Sequence, residues 1–78
     1  MDENKQKLLT ILQTVCPRVD FENETALVDN DLIDSLDMVT IVSEIAGNFP
    51  VDLGVEDLTP DNFNSIDAML VLIKSKAR

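Results

Sequence analysis

Apolar residues recur at helical spacing in three segments of this 78-residue chain, and no segment alternates between apolar and polar residues as a strand does. The first segment predicts a helix whose buried stripe consists of Leu8, Ile11, Leu12 and Val15. Asp2 is predicted to cap this helix, and Pro17 to end it, because proline lacks an N–H and restricts the residue before it. Cys16 is expected to be a small buried residue at the end of the stripe.

The second predicted helix begins at Asp34 or Ser35, since both are favoured N-cap residues, and ends between Gly47 and Pro50. Asp37 places a carboxylate in the first turn, where it interacts favourably with the helix dipole. The predicted inward face consists of Leu36, Val39, Val42, Ile45, Ala46 and Phe49, and it is widened by Met38 and Ile41.

A short third helix is predicted after Thr59-Pro60, and a final helix after Asn64-Ser65. The buried stripe of the final helix is predicted to be Ile66, Met69, Leu70 and Ile73. Residues 18–34 form a long loop that is expected to be pinned to the core by Phe21, Leu27, Leu32 and Ile33. The sequence therefore predicts one all-α domain over residues 1–78: a small four-helix bundle with three main helices and one short one.

Charge is distributed unevenly along the chain. The 15 Asp and Glu residues outnumber 6 Lys and Arg residues, and the formal net charge is −9. All basic residues lie near the ends, so the segment from Val19 to Ile73 contains thirteen acids and no base. Ion pairs are not expected to neutralise this segment. The charge disfavours binding to nucleic acid or anionic membranes, and it suits either solubility or docking onto basic partners.

The sequence lacks the residues that several kinds of catalytic and binding sites require. The chain has no His and only two glycines, so it has neither the usual general base nor a glycine-rich phosphate loop. Asp29-Asn30-Asp31 begins like a calcium-binding loop, but the glycine and glutamate that such a loop needs further on are missing. No catalytic residue and no metal site are predicted. With a single Cys and no apolar leader or membrane-length apolar run, a cytoplasmic monomer is expected.

The segment Asp34-Ser35-Leu36 permits two interpretations. Ser35 is either simply an N-cap or an exposed, rigidly held hydroxyl beside first-turn N–H groups that suit a phosphate. It is not expected to act as its own nucleophile, because no His or neighbouring Lys could activate it.

The stretch LIDSLDMV, residues 32–39, resembles the attachment motif of acyl carrier proteins and related thiolation domains. The resemblance extends over essentially the whole chain: its length, its acidity, the long loop, and the order of the helices. It implies that Ser35 receives 4′-phosphopantetheine from coenzyme A through a separate Mg²⁺-dependent phosphopantetheinyl transferase. The arm would hold an acyl or aminoacyl group as a thioester for delivery to transferring enzymes or ligases with basic docking surfaces.

The same resemblance implies roles for the neighbours of Ser35. Asp34 is the acid before the attachment residue, and Leu36 is a partner contact beside the arm. Further docking residues would be Asp37, Val39 and Glu44.

Two departures from the fatty-acid branch leave the cargo open. Glu44 is the only acid in the second helix after Asp37, and Ile33 stands where a small residue is common. The segment LIDS at residues 32–35, together with Phe63-Asn64-Ser65 at the last helix, is more similar to D-alanyl and other aminoacyl carriers. An acyl carrier is favoured, and the alternatives are an aminoacyl carrier served by an adenylating ligase or an unmodified acidic interaction module.

Overall fold

A computed structural model describes residues 3–77, and over this range the chain forms a small all-α fold. Four α-helices follow one another: α1 at Glu3–Val15, α2 at Ser35–Asn48, α3 at Pro60–Phe63 and α4 at Ile66–Ser75. A single 3-10 turn at Val55–Asp57, which was not predicted, precedes α3. The predicted bundle of three main helices and one short helix is confirmed.

Helix α1 packs against both α2 and α4, and α3 packs on α4. Leu8, Ile11 and Leu12 of its predicted stripe are buried, and Val15 is half-buried. The predicted cap at Asp2 lies outside the described residues. Cys16 is half-buried against the core and not fully enclosed as predicted, because it follows the last residue of α1.

Helix α2 buries only part of the predicted inward face. Val42, Ile45 and the C-cap Phe49 are buried or half-buried as predicted, together with Met38 and Ile41, and Asp37 in the first turn is also half-buried. Leu36 and Val39 are 76% and 54% exposed, and Ala46 is also exposed, so their predicted inward orientation is wrong. The residues four positions after Leu36 and Val39 are Thr40 and Ser43, so burying that face would bury hydroxyls and less apolar surface.

The long loop, residues 16–34, is anchored by three of its four predicted apolar residues. Phe21, Leu27 and Ile33 are at most 1% exposed, whereas Leu32 is 39% exposed, contrary to the prediction. The backbone N–H groups of Leu32 and Ile33 both donate to the carbonyl of Leu27, at 2.8 and 3.2 Å. Adjacent side chains in a non-helical segment diverge, so only one of these two neighbours enters the core.

Local signals place α3 and α4 correctly. Thr59 precedes Pro60 at the first position of α3, and the Ser65 hydroxyl accepts a hydrogen bond from the N–H of Ala68 at 3.0 Å. In the stripe of α4, Leu70 is half-buried, and Leu72 is buried although it was not predicted to be. Residues 69–73 are all apolar, so spacing alone does not define the inward face there.

Basic residues from the two ends of the chain reach the acidic segment. Lys76 pairs with Asp57 at 3.2 Å, and Lys5 pairs with Asp67 at 3.5 Å. The prediction that ion pairs do not neutralise this segment is therefore wrong for these two carboxylates. Asp57 is 6% exposed and also accepts the N–H of Gly54 at 2.9 Å. This N–H, and then the Lys76 ammonium, hold the pKa of Asp57 below its usual range.

Candidate functional site

The N-terminus of α2 is closed by a reciprocal pair of hydrogen bonds between Asp34 and Asp37. The N–H of Asp37 donates to Oδ1 of Asp34 at 2.8 Å, and the N–H of Asp34 donates to Oδ2 of Asp37 at 3.2 Å. This arrangement is a capping box, with Asp34 as the N-cap and Asp37 three residues later. Of the two candidate caps, the structure therefore selects Asp34 and excludes Ser35.

Ser35 is consequently the first residue of α2, and its side chain is not used by the helix. The residue is exposed, and its hydroxyl makes no hydrogen bond to any residue within 3–77. The first-turn N–H groups of a helix have no acceptor inside the helix, and they carry the positive end of its dipole. The Ser35 hydroxyl is therefore exposed beside these N–H groups and has no hydrogen bond to residues 3–77 that a modification would break.

The predicted docking residues divide into two groups. Leu36, Val39 and Glu44 are exposed on the outer side of α2. Asp37 is half-buried, and its carboxylate is engaged by the N–H of Asp34, so it is less available to a partner than expected. Next to Ser35 the structure therefore presents two exposed apolar side chains with an acidic side chain further along the helix.

Cys16 lies close to this helix start. Burial, followed by the neighbouring carboxylates of Asp37 and Asp34, raises the pKa of its thiol. A raised pKa keeps the thiol protonated at neutral pH, which makes it a poor nucleophile. Cys16 therefore acts as a packing residue between the end of α1 and the start of α2.

A residue that the sequence indicated as a helix-start signal, and as part of the similarity to aminoacyl carriers, also shapes this region. Asn64, between α3 and α4, is hydrogen-bonded to the loop that leads into Ser35, at Leu27, Val28 and Asp29. No sequence signal points to this connection, because its partners are more than thirty residues apart.

Within the described part of the chain, no group of three or more His, Cys, Asp or Glu side chains is arranged to hold a metal ion. None of the described helices has the length and apolar character needed to cross a membrane.

No protein-family model matches the chain, and comparison with curated proteins and with solved structures finds no match. A function for this protein therefore has to be inferred from its own residues.

Proposed function

We propose that this protein is a carrier that bears acyl groups as thioesters on a 4′-phosphopantetheine arm attached to Ser35 and delivers them to partner enzymes. The arm supplies a flexible link that ends in a thiol, and the chain supplies its attachment point and the surface that partners bind. The proposal joins the LIDSLDMV motif at residues 32–39 with the geometry of the start of α2.

One observation carries the proposal: Asp34 caps α2, which leaves the Ser35 hydroxyl exposed and without a hydrogen bond among the described residues. A serine that served only as a cap would have its oxygen bonded to a backbone N–H in the first turn. Here a neighbouring carboxylate already performs that task. A hydroxyl that a helix holds in a fixed position, but that makes no hydrogen bond to the described residues, is suited to modification.

The chemistry of attachment can be written from this hydroxyl. Its oxygen forms a bond to the β-phosphorus of coenzyme A, the phosphoanhydride bond breaks, and adenosine 3′,5′-bisphosphate leaves. The hydroxyl proton passes to a base of the transferase, since the carboxylate next to Ser35, that of Asp34, is engaged by the N–H of Asp37 as the helix cap. The reaction therefore belongs to a separate enzyme.

The surroundings of Ser35 favour a partner with basic and apolar groups. Leu36 and Val39 are 76% and 54% exposed, and they lie one turn apart beside the attachment residue. Exposed acids in the same region, such as Asp34 and Glu44, would guide a basic partner toward them. Apolar contact would then provide much of the affinity, and charge would increase the rate of encounter.

Arm attachment is tested by incubation with coenzyme A, Mg²⁺ and a phosphopantetheinyl transferase of broad specificity, followed by intact mass measurement. One arm is expected on the wild-type protein and none on Ser35→Ala. Ser43→Ala is the matched control, because Ser43 is also an exposed serine of α2, and it is expected to accept the arm. Modification of Ser35→Ala, or an unmodified wild-type protein, would contradict the proposal, and the second result would favour an unmodified acidic interaction module.

The cargo is tested by comparing thermal melts of the arm-bearing protein with and without an octanoyl or an alanyl group. The core consists mainly of Leu, Ile and Val, so a fatty chain that entered it would gain about 0.8 kcal/mol for each buried CH₂. An alanyl group carries an ammonium that resists burial. Octanoyl loading is expected to raise the melting temperature and alanyl loading to leave it unchanged. Equal melting of all three forms would favour the aminoacyl carrier.

A further inference from the structure

Asn64 connects the junction of α3 and α4 to the long loop through both its backbone and its side chain. Its carbonyl accepts the N–H of Leu27 at 2.9 Å, and its Oδ1 accepts the N–H groups of Val28 and Asp29 at 3.0 and 3.1 Å. Its Nδ2 donates to Oδ2 of Asp29 at 3.2 Å. Three consecutive backbone N–H groups of the loop thus have acceptors on one residue that is distant in sequence.

These three N–H groups lie at the start of a helical turn, where no acceptor is available within the turn itself. The turn ends in a left-handed residue, Asp31, with φ of 56°. The N–H of Leu32 then donates to the carbonyl of Leu27, and that of Asp31 to the carbonyl of Val28, which is the Schellman arrangement of a helix end. Asn64 therefore acts as an N-cap supplied from another part of the chain.

The hydrogen bonds continue from this turn to the attachment site. The carbonyl of Leu27, whose N–H is held by Asn64, also accepts the N–H of Ile33 at 3.2 Å. Ile33 is buried and immediately precedes Asp34, the N-cap of α2. An unbroken series of contacts therefore runs from Asn64 through Leu27 and Ile33 to the residue before Ser35.

We infer that Asn64 is a positioning residue for Ser35: it holds the loop in the one arrangement in which the attachment site is presented to the transferase. The expected effect on arm attachment rests on the proposed function, but the ordering of the loop by Asn64 does not. An asparagine suits the position because its oxygen accepts two N–H groups while its nitrogen faces a carboxylate. Neither a shorter hydroxyl nor a second carboxylate meets both requirements.

Loss of the cap is expected to change the Michaelis constant more than the turnover number. If the loop is ordered for only a fraction of the time, the apparent affinity for the transferase is multiplied by that fraction, so a loop ordered about one tenth of the time binds about tenfold more weakly. For Asn64→Ala, KM for the carrier is expected to rise about tenfold, with little change in kcat, because the loss of several hydrogen bonds shifts a local equilibrium by roughly this factor.

The matched control is Asn62→Ala. Asn62 lies in α3, and its Nδ2 donates to the carbonyl of Asp57 at 3.0 Å, so this variant also loses an asparagine hydrogen bond but none to the loop. Its KM is expected to remain that of the wild-type protein. An equal rise of KM in both variants would show general destabilisation and would overturn the inference.

A reciprocal exchange tests the contact itself. Asn64→Asp keeps the acceptor for Val28 and Asp29 but places two carboxylates together, and it is expected to raise KM. Adding Asp29→Asn restores an amide donor opposite a carboxylate and is expected to return KM toward the wild-type value. Failure of the double variant to recover would contradict the assigned pairing. Asn64→Asp and the double variant both keep a side-chain oxygen that accepts the backbone N–H groups of Val28 and Asp29. They therefore test the inference even if Asn64→Ala does not fold.

Backbone hydrogen exchange separates this inference from the proposed function. In Asn64→Ala, exchange at Leu27, Val28 and Ile33 is expected to accelerate about tenfold or more, while exchange in the middle of α1 changes less. If the wild-type protein accepts no arm, the proposed function fails, and this measurement still decides whether Asn64 orders the loop. Unchanged exchange at these amides would overturn the inference.

Discussion

Replacing Asp34 by alanine is expected to destabilise the protein more than replacing its neighbour Ser35, although both are polar residues at the same helix start. Asp34→Ala removes the acceptor of the 2.8 Å hydrogen bond from Asp37 and the negative charge at the N-terminus of α2. Ser35→Ala removes a hydroxyl that bonds to nothing among the described residues. The two variants therefore separate capping from the role proposed for Ser35.

The expected cost follows from these contacts. Loss of an N-cap aspartate costs about 0.5–2 kcal/mol of unfolding free energy. For a domain of this size, each kcal/mol lowers the melting temperature by roughly 4–8 °C. Asp34→Asn keeps the oxygen acceptor and loses only the interaction of its charge with the dipole, about 0.3–1 kcal/mol. Ser35→Ala is expected to change the free energy of unfolding by less than about 0.5 kcal/mol.

The assay is thermal unfolding followed by circular dichroism, because the chain has no Trp or Tyr for fluorescence. The expected order of melting temperatures is wild type equal to Ser35→Ala, then Asp34→Asn, then Asp34→Ala. A Ser35→Ala variant that melted below Asp34→Ala would refute the assignment of the cap. It would also remove the observation on which the proposed attachment site depends.

Three further predictions concern other parts of the molecule. Asp31→Gly should raise the free energy of unfolding by about 0.5–1 kcal/mol in chemical denaturation, because glycine adopts a φ of 56° without strain; a loss of stability would contradict this. The depressed pKa of Asp57 stabilises the fold above its unfolded pKa of about 3.9, and this contribution is lost as pH falls through the lower folded value. In melts across pH, the stability gap between wild type and Asp57→Asn should therefore be widest near pH 7 and begin to close below about pH 4, and a constant gap would contradict the lowered pKa of Asp57. Ile41→Ala should cost about 2–5 kcal/mol and Leu36→Ala less than about 0.5 kcal/mol in the same denaturation assay, and similar costs would show that the inward face of α2 is misassigned.

The features that follow from neighbouring residues could be predicted from the sequence. Pro17 marks a helix end through its backbone and Ser65 marks a helix start through its hydroxyl, whatever these residues pack against. The assignment of Asp34 rather than Ser35 as the cap could also have been predicted, because an acid three residues after Asp34 is typical of a capping box. A cap at Ser35 would instead place Met38 at that position.

The features that depend on tertiary packing could not be predicted in this way. Apolar residues cover so much of α2 that spacing alone permits two inward faces, and burial of Ile41 and Ile45 decides between them. Leu32 and Ile33 are equally apolar, yet only one enters the core. The role of Asn64 depends on a contact with a segment about thirty-five residues away, which no local pattern encodes.

The contact between Asn64 and the loop also has a consequence for the timing of folding during synthesis. Val28 and Asn64 are 36 residues apart, and a contact across such a separation has to offset the entropy of closing a long loop, which slows its formation. A ribosome produces Ser35 well before Asn64, so the nascent chain carries Ser35 on a loop whose acceptors on Asn64 have not yet been synthesised. If Ser35 bears the proposed arm, attachment is expected to follow completion of the junction between α3 and α4.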